Sequence, residues 1–206
     1  MNLVSSVSHA GLDTRYTDRQ AVYRPVLIES HGATGFCLLR DVSADGLRAK
    51  AYTAFAPDEH VRVHFSSDIS VSGAIAWSED GQIGVAFNEI IDVPELLSQF
   101  APGTAMGWAS RSQRLPIHCS AHLAANGRTA MVQLLDISQH GIKACASFLE
   151  PGDELDVKLD GLERRKAVVI WIKSQLAGLK FVRPLGFEDL ACWVACQQEA
   201  LLGGKP

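Results

Sequence analysis

The chain has 206 residues, 47% of them apolar and 20% charged, with a formal net charge of −4. That is the profile of a folded globular protein of one large domain or two small ones, and it excludes a disordered chain. The acidic balance argues against a general DNA or RNA binder, which needs a basic excess to neutralise phosphates.

The segment MNLVSSVSHAGLDTRYTDR has no basic start and no long apolar run, so it does not read as a secretion signal. It ends in RYTDR, which sets Arg15 and Arg19 four apart. Short runs rich in β-branched and apolar residues follow: AVYRPVLIES, GFCLLRDVS, LRAKAYT, HVRVHFS, SVSGAIAWSE and QIGVAFNEI. Several alternate at period two, which predicts strands, and SHGATG, SADG, SSD and SEDG separate them as turns. Six such strands with no long helical pattern between them predict a small closed barrel, which hides the edges that short strands expose. DVPELLSQF predicts a helix, with Asp92 as N-cap and Pro94 in the first turn.

APGTAMG then reads as a linker, and the pattern repeats. An offset of 95 places Arg19 on Arg114, Asp41 on Asp136, Ser43 on Ser138 and Gly46 on Gly141. One residue is then lost, and an offset of 94 places Pro57 on Pro151, Trp77 on Trp171, Gly84 on Gly178 and Phe87 on Phe181. The chain therefore reads as a duplication. Residues 1–100 form a first barrel with an arginine arm, 101–109 a linker, and 110–206 a second barrel. GFEDLACWVACQQEALL closes it as a helix, with Leu190, Trp193, Val194, Cys196, Gln197 and Leu201 at helical spacing. The expected fold class is all-β with short helices: two six-stranded barrels in tandem, each followed by a helix.

Arg-x-x-x-Arg, a gap of some twenty residues, then Asp-x-Ser-x-x-Gly on a β-barrel resembles the PilZ domain family. The resemblance covers nearly the whole chain, as two copies. It implies a bacterial receptor for cyclic di-GMP, with Arg15, Arg19, Asp41, Ser43 and Gly46 around the ligand. The chemistry is coherent. Guanidinium groups clamp phosphate oxygens and also stack on guanine or bond its O6 and N7. Hydrogen bonds to charged groups are worth about 1.5–3 kcal/mol each, against about 8 kcal/mol for micromolar binding. In this reading Asp41 accepts from guanine N1–H and N2–H, and Ser43 bonds a base edge or phosphate. Gly46 either takes a positive φ or lets the ligand approach where no Cβ stands. The arm would order over the ligand as the switch.

The second copy keeps Asp136, Ser138 and Gly141. It keeps Arg114 but has Ser110 at the first arginine's place, with Arg111 one position later. This second site is expected to bind weakly or to serve as a docking partner. Within the loop, His140 reads as a turn residue or as a substitute cation at low pH.

Other signals point to no chemistry. His60 and His64, and His118 and His122, are pairs that share strand faces, with no third metal ligand placed by the sequence. Cys192 and Cys196 share a helix face and read as small core residues. The five scattered cysteines fit a reducing cytosol. No stretch approaches 18 apolar residues, which predicts no membrane span. Among nucleophile, zinc and phosphate-loop motifs, G-x-S-x-G, H-E-x-x-H and G-x-x-x-x-G-K are all missing, so no enzyme, catalytic residue, metal or cofactor is expected. The sequence thus reads as a cytosolic cyclic di-GMP receptor that signals to a protein partner, with outputs such as motility, biofilm or polysaccharide export. The alternative is an interaction adaptor of the same fold that has lost nucleotide binding.

Overall fold

A strand that is buried on one face only must alternate apolar and polar residues, and the chain's short runs do so. In the structure, a computed structural model, residues 19–31, 34–98 and 113–203 are described, the last three by backbone alone. The first copy forms β1 (Gln20–Ser30), β2 (Thr34–Ser43), β3 (Gly46–Ala51), β4 (His60–His64), β5 (Ser70–Glu79) and β6 (Gln82–Phe87). They close in the order β1-β2-β3-β6-β5-β4, every pair antiparallel. The second forms β7 (Leu115–Ala125), β8 (Arg128–Ser138), β9 (Gly141–Cys145), β10 (Glu154–Leu159), β11 (Arg165–Lys173) and β12 (Leu176–Phe181), closed in the corresponding order. The expected fold is the one found: two closed six-stranded barrels, each followed by a helix.

The duplication extends to the irregularities. Register shifts fall between Ala21 and Arg24, Leu39 and Asp41, and Ile75 and Trp77. In the second barrel they fall between Pro116 and Cys119, Leu134 and Asp136, and Val169 and Trp171. A bulge adds one residue and so changes which face later side chains take. On β2 the buried Cys37 and Leu39 are odd-numbered, but past the bulge the core residue is Val42. Asp41 is thereby turned out of the core. On β5 the bulge after Ile75 likewise puts Trp77 outside, 41% exposed.

Turn chemistry follows the sequence. Asp80–Gly81 joins β5 to β6 and Asn126–Gly127 joins β7 to β8, all four residues at positive φ. Helix α1 (Val93–Ser98) is capped as expected, the Glu95 N–H donating to Asp92 Oδ1 at 2.9 Å. Residues 99–112, which include the expected linker and Arg111, lie outside the described residues, as does Arg15.

Helix α2 (Phe187–Gly203) buries Leu190, Trp193 and Val194 on the second barrel. Its neighbouring face meets the first barrel. Phe187 packs edge-on against Phe36 and Tyr52, with ring centroids 6.1 and 5.8 Å apart. Leu27 and Phe36 of the first barrel thereby join the second barrel's core. Glu188 accepts from Lys50 Nζ at 2.7 Å and from the Tyr52 hydroxyl at 3.0 Å, and Gln198 Nε2 donates to the Thr34 carbonyl at 2.5 Å. Cys192 and Cys196, expected in the core, are exposed, because this helix buries the faces on either side of theirs. No helix among the described residues is long and apolar enough to cross a membrane.

Candidate functional site

Antiparallel register places side chains from neighbouring strands in rows across the barrel's outer face. One row crosses four strands: Asp41 on β2 pairs with Arg48 on β3, Arg48 with Gly84 on β6, and Gly84 with Trp77 on β5. Both bulges described above feed it, one turning Asp41 outward and the other Trp77. Glycine at 84 is required because the Trp77 indole lies where a Cβ would stand. The row borders a cleft of about 700 Å³ that also takes in Arg19 and Asp45. That volume suits a nucleotide-sized ligand.

Within the row, Asp41 is a hub. Its Oδ1 accepts from Arg19 Nη1 at 2.7 Å, and its Oδ2 from Arg48 Nε at 2.8 Å and Nη2 at 2.7 Å. The Asp41 side chain is 10% exposed, whereas the two arginine side chains remain about half exposed. Asp41 therefore fixes the inner ends of two guanidiniums and leaves their other N–H groups toward the cleft. Both of its oxygens already hold arginines, so a guanine accepted by Asp41 would share an oxygen with a guanidinium or displace it.

The remaining motif residues also act from below the surface. Ser43 is fully buried, its hydroxyl 2.6 Å from Asp45 Oδ1 and 3.2 Å from the Gly46 carbonyl. It reaches the cleft through Asp45. Gly46 does not have the positive φ that was one of its two expected uses. It is required because a Cβ there would collide with the Val85 carbonyl oxygen on β6. The motif thus brings β3 and β6 together and holds the β2–β3 turn.

The second barrel repeats the arrangement with changed groups. Asp136, Lys143, Gly178 and Trp171 form the equivalent row. Asp136 Oδ1 accepts from Arg114 Nε at 2.7 Å and Nη2 at 2.6 Å, and Oδ2 from Lys143 Nζ at 2.9 Å. Ser138 is buried and donates to the Gly141 carbonyl at 3.2 Å, and a Cβ at Gly141 would collide with the Leu179 carbonyl oxygen. The motif's scaffold is intact, but lysine replaces the second guanidinium and His140 stands where the first barrel has Asp45.

Sequence reasoning did not single out Arg48 or Asp45. Arg48 had a signal: Arg48 and Lys143 coincide at the repeat offset of 95, two residues past the motif glycine, where both copies carry a cation. Asp45 had none, since acids are ordinary in turns. The paired histidines stay outside the cleft. His64 lies 3.0 Å from Glu29 Oε2, and no group of three His, Cys, Asp or Glu able to hold a metal occurs among the described residues.

The sequence matches the family model of the PilZ domain twice, over residues 13–100 and 110–195. No curated protein sequence matches it. Several solved structures are similar. PlzA of Borreliella burgdorferi, in complex with c-di-GMP, is 11% identical over 87% of this chain and 94% of its own, with a TM-score of 0.35. The inhibitor of motility MotI/DgrA of Bacillus subtilis is 15% identical over 90% and 100%, with a TM-score of 0.34. YcgR of Escherichia coli, also with c-di-GMP, is 13% identical over 87% and 82%, with a TM-score of 0.32.

Proposed function

The chain belongs to the PilZ domain family, and from that premise we propose that its first barrel binds cyclic di-GMP in the cleft between Arg19, Arg48 and Trp77. The observation that carries the reading is the Arg19–Asp41–Arg48 cluster, 2.7–2.8 Å in each link, beside an outward-facing indole. The ligand has two phosphates and two guanines. The half-exposed guanidiniums offer charged donors to phosphate oxygens, and Trp77 offers a stacking face. Arg15, outside the described residues, adds a third cation from the arm. Three charged hydrogen bonds near the upper end of about 1.5–3 kcal/mol each, with stacking, reach the roughly 8 kcal/mol of micromolar binding.

The second barrel is the docking partner. Helix α2 rests on β2 and β3 of the first barrel, and β3 also carries Arg48. A ligand held by Arg48 thus bears on the strand that α2 grips, and the pair of barrels presents the result to a protein partner.

The test is calorimetric titration of cyclic di-GMP into the intact chain and into the Arg15→Ala plus Arg19→Ala variant. Heat that the double substitution abolishes supports the receptor. No heat from either protein leaves an interaction adaptor that has kept the fold without the nucleotide.

A further inference from the structure

The three motif residues of the β2–β3 turn are each committed. Asp41 spends both oxygens on arginines, Ser43 is fully buried, and Gly46 sits under the Val85 carbonyl. Asp41 and Gly46 line the cleft too, but the turn's carboxylate there that holds no arginine among the described residues is Asp45, which is half-buried. Its carboxylate is aimed by the 2.6 Å bond from Ser43 to Oδ1. Its backbone is pinned as well, the carbonyl accepting from the Phe87 N–H at 2.9 Å.

We infer that Asp45 is the specificity-determining residue that reads the guanine Watson–Crick edge of the bound dinucleotide. The inference rests on the receptor reading above. The cleft divides by charge. Arg19 and Arg48 line it as cations with Asp41 paired between them, and Asp45 lines it as an anion that forms no ion pair with an arginine among the described residues. A phosphate beside Asp45 is repelled, so phosphates go to the guanidiniums. Guanine presents two adjacent donors, N1–H and N2–H, and a carboxylate accepts both. Adenine has no hydrogen on N1, and hypoxanthine lacks the N2 amine. A site built around such an acceptor rejects a base that lacks the donor, because a desolvated charge is then left unpaired.

The duplication supplies an internal comparison. In the second barrel the turn has the same backbone, the His140 carbonyl accepting from the Phe181 N–H at 2.9 Å, as Asp45 does from Phe87. There the side chain is His140, and Ser138 has only the Gly141 carbonyl among its described acceptors. The second turn therefore keeps the scaffold without the carboxylate. Ser43, in turn, is a positioning residue that works through Asp45.

The experiment is calorimetric titration of the full chain, Asp45→Asn and Asp45→His with cyclic di-GMP and with its bis-inosine analogue. Histidine already occupies this position on the second copy's equivalent turn, so that variant folds, and unchanged thermal midpoints check it. The wild-type chain is expected to prefer cyclic di-GMP over the inosine analogue by about tenfold or more, the worth of one charged hydrogen bond. Both variants are expected to lose that preference and to bind cyclic di-GMP roughly ten- to hundredfold more weakly. Variants that bind as tightly as wild type, or weaken while keeping the full preference for guanine, overturn the assignment. If the wild-type chain binds neither dinucleotide, the receptor reading itself fails, a result distinct from binding that ignores Asp45.

Discussion

Arg48 lies directly across from Asp41 on the neighbouring strand and turns two of its N–H groups, at 2.8 and 2.7 Å, onto a single carboxylate oxygen. Arg19 takes the other oxygen from outside the barrel. One buried acid thus sets the spacing of two cations that belong to different parts of the chain.

Removing that acid releases both arginines. Asp41→Ala is expected to lower cyclic di-GMP affinity by roughly ten- to hundredfold, since each guanidinium must then be ordered by the ligand. Stability falls by only about 1 kcal/mol, because both arginines are half exposed and return to water. Calorimetry and urea unfolding of the same variant separate the two effects.

Gly46→Ala acts the other way. A Cβ there meets the Val85 carbonyl, so β3 and β6 must part. Overpacking of this kind costs about 1–3 kcal/mol. Gly141→Ala is expected to cost a similar amount through Leu179 in the second barrel. Lower urea midpoints for both variants check it.

Much of this architecture was legible in the sequence. Period-two runs mark the strands, SADG and SEDG mark turns between them, and the repeat offset ties Trp77 to Trp171 and Gly84 to Gly178, while the Asn126–Gly127 hairpin is visible only in the structure. The roles of the motif residues were less legible. The PilZ resemblance places Asp41 and Ser43 around the ligand, and their residue types alone do not say what else they hold. Only the bulge at Leu39–Asp41 and the strand register reveal that Asp41 faces arginines and that Ser43 is buried. Cys196 was misplaced for a related reason: helical spacing marks a stripe, but α2 packs on two barrels and its free stripe lies between them.

The α2 contact has a pH signature. Hydrogen bonds from Lys50 and then from Tyr52 hold the Glu188 carboxyl below its ordinary value of 4.5. A lowered acid stabilises the folded contact above its unfolded pKa and loses that contribution as pH falls through the folded one. Lys50 is raised above 10.5, chiefly by its hydrogen bond to Glu188, so its contribution is full below that value and fades as pH climbs past the raised one. The contact between α2 and the first barrel is therefore expected to loosen below about pH 4.5. Glu188→Gln is expected to flatten that acid limb, read as the thermal midpoint against pH.

Thiol chemistry checks the helix orientation. Cys192 and Cys196 are exposed on α2, while burial pushes the Cys37 thiol far up and raises Cys119 as well. A disulfide reagent at neutral pH is expected to modify two thiols quickly, with Cys37 reacting only on unfolding. Peptide mapping that finds Cys37 among the fast sites contradicts the barrel packing.

The most direct measurement of the ligand site compares Arg48→Ala with Lys143→Ala, the same row position in the two barrels, by cyclic di-GMP calorimetry. Arg48→Ala is expected to weaken binding by roughly ten- to hundredfold, and Lys143→Ala to leave it within about twofold. Binding that survives Arg48→Ala and disappears with Lys143→Ala would place the ligand on the second barrel and contradict the account.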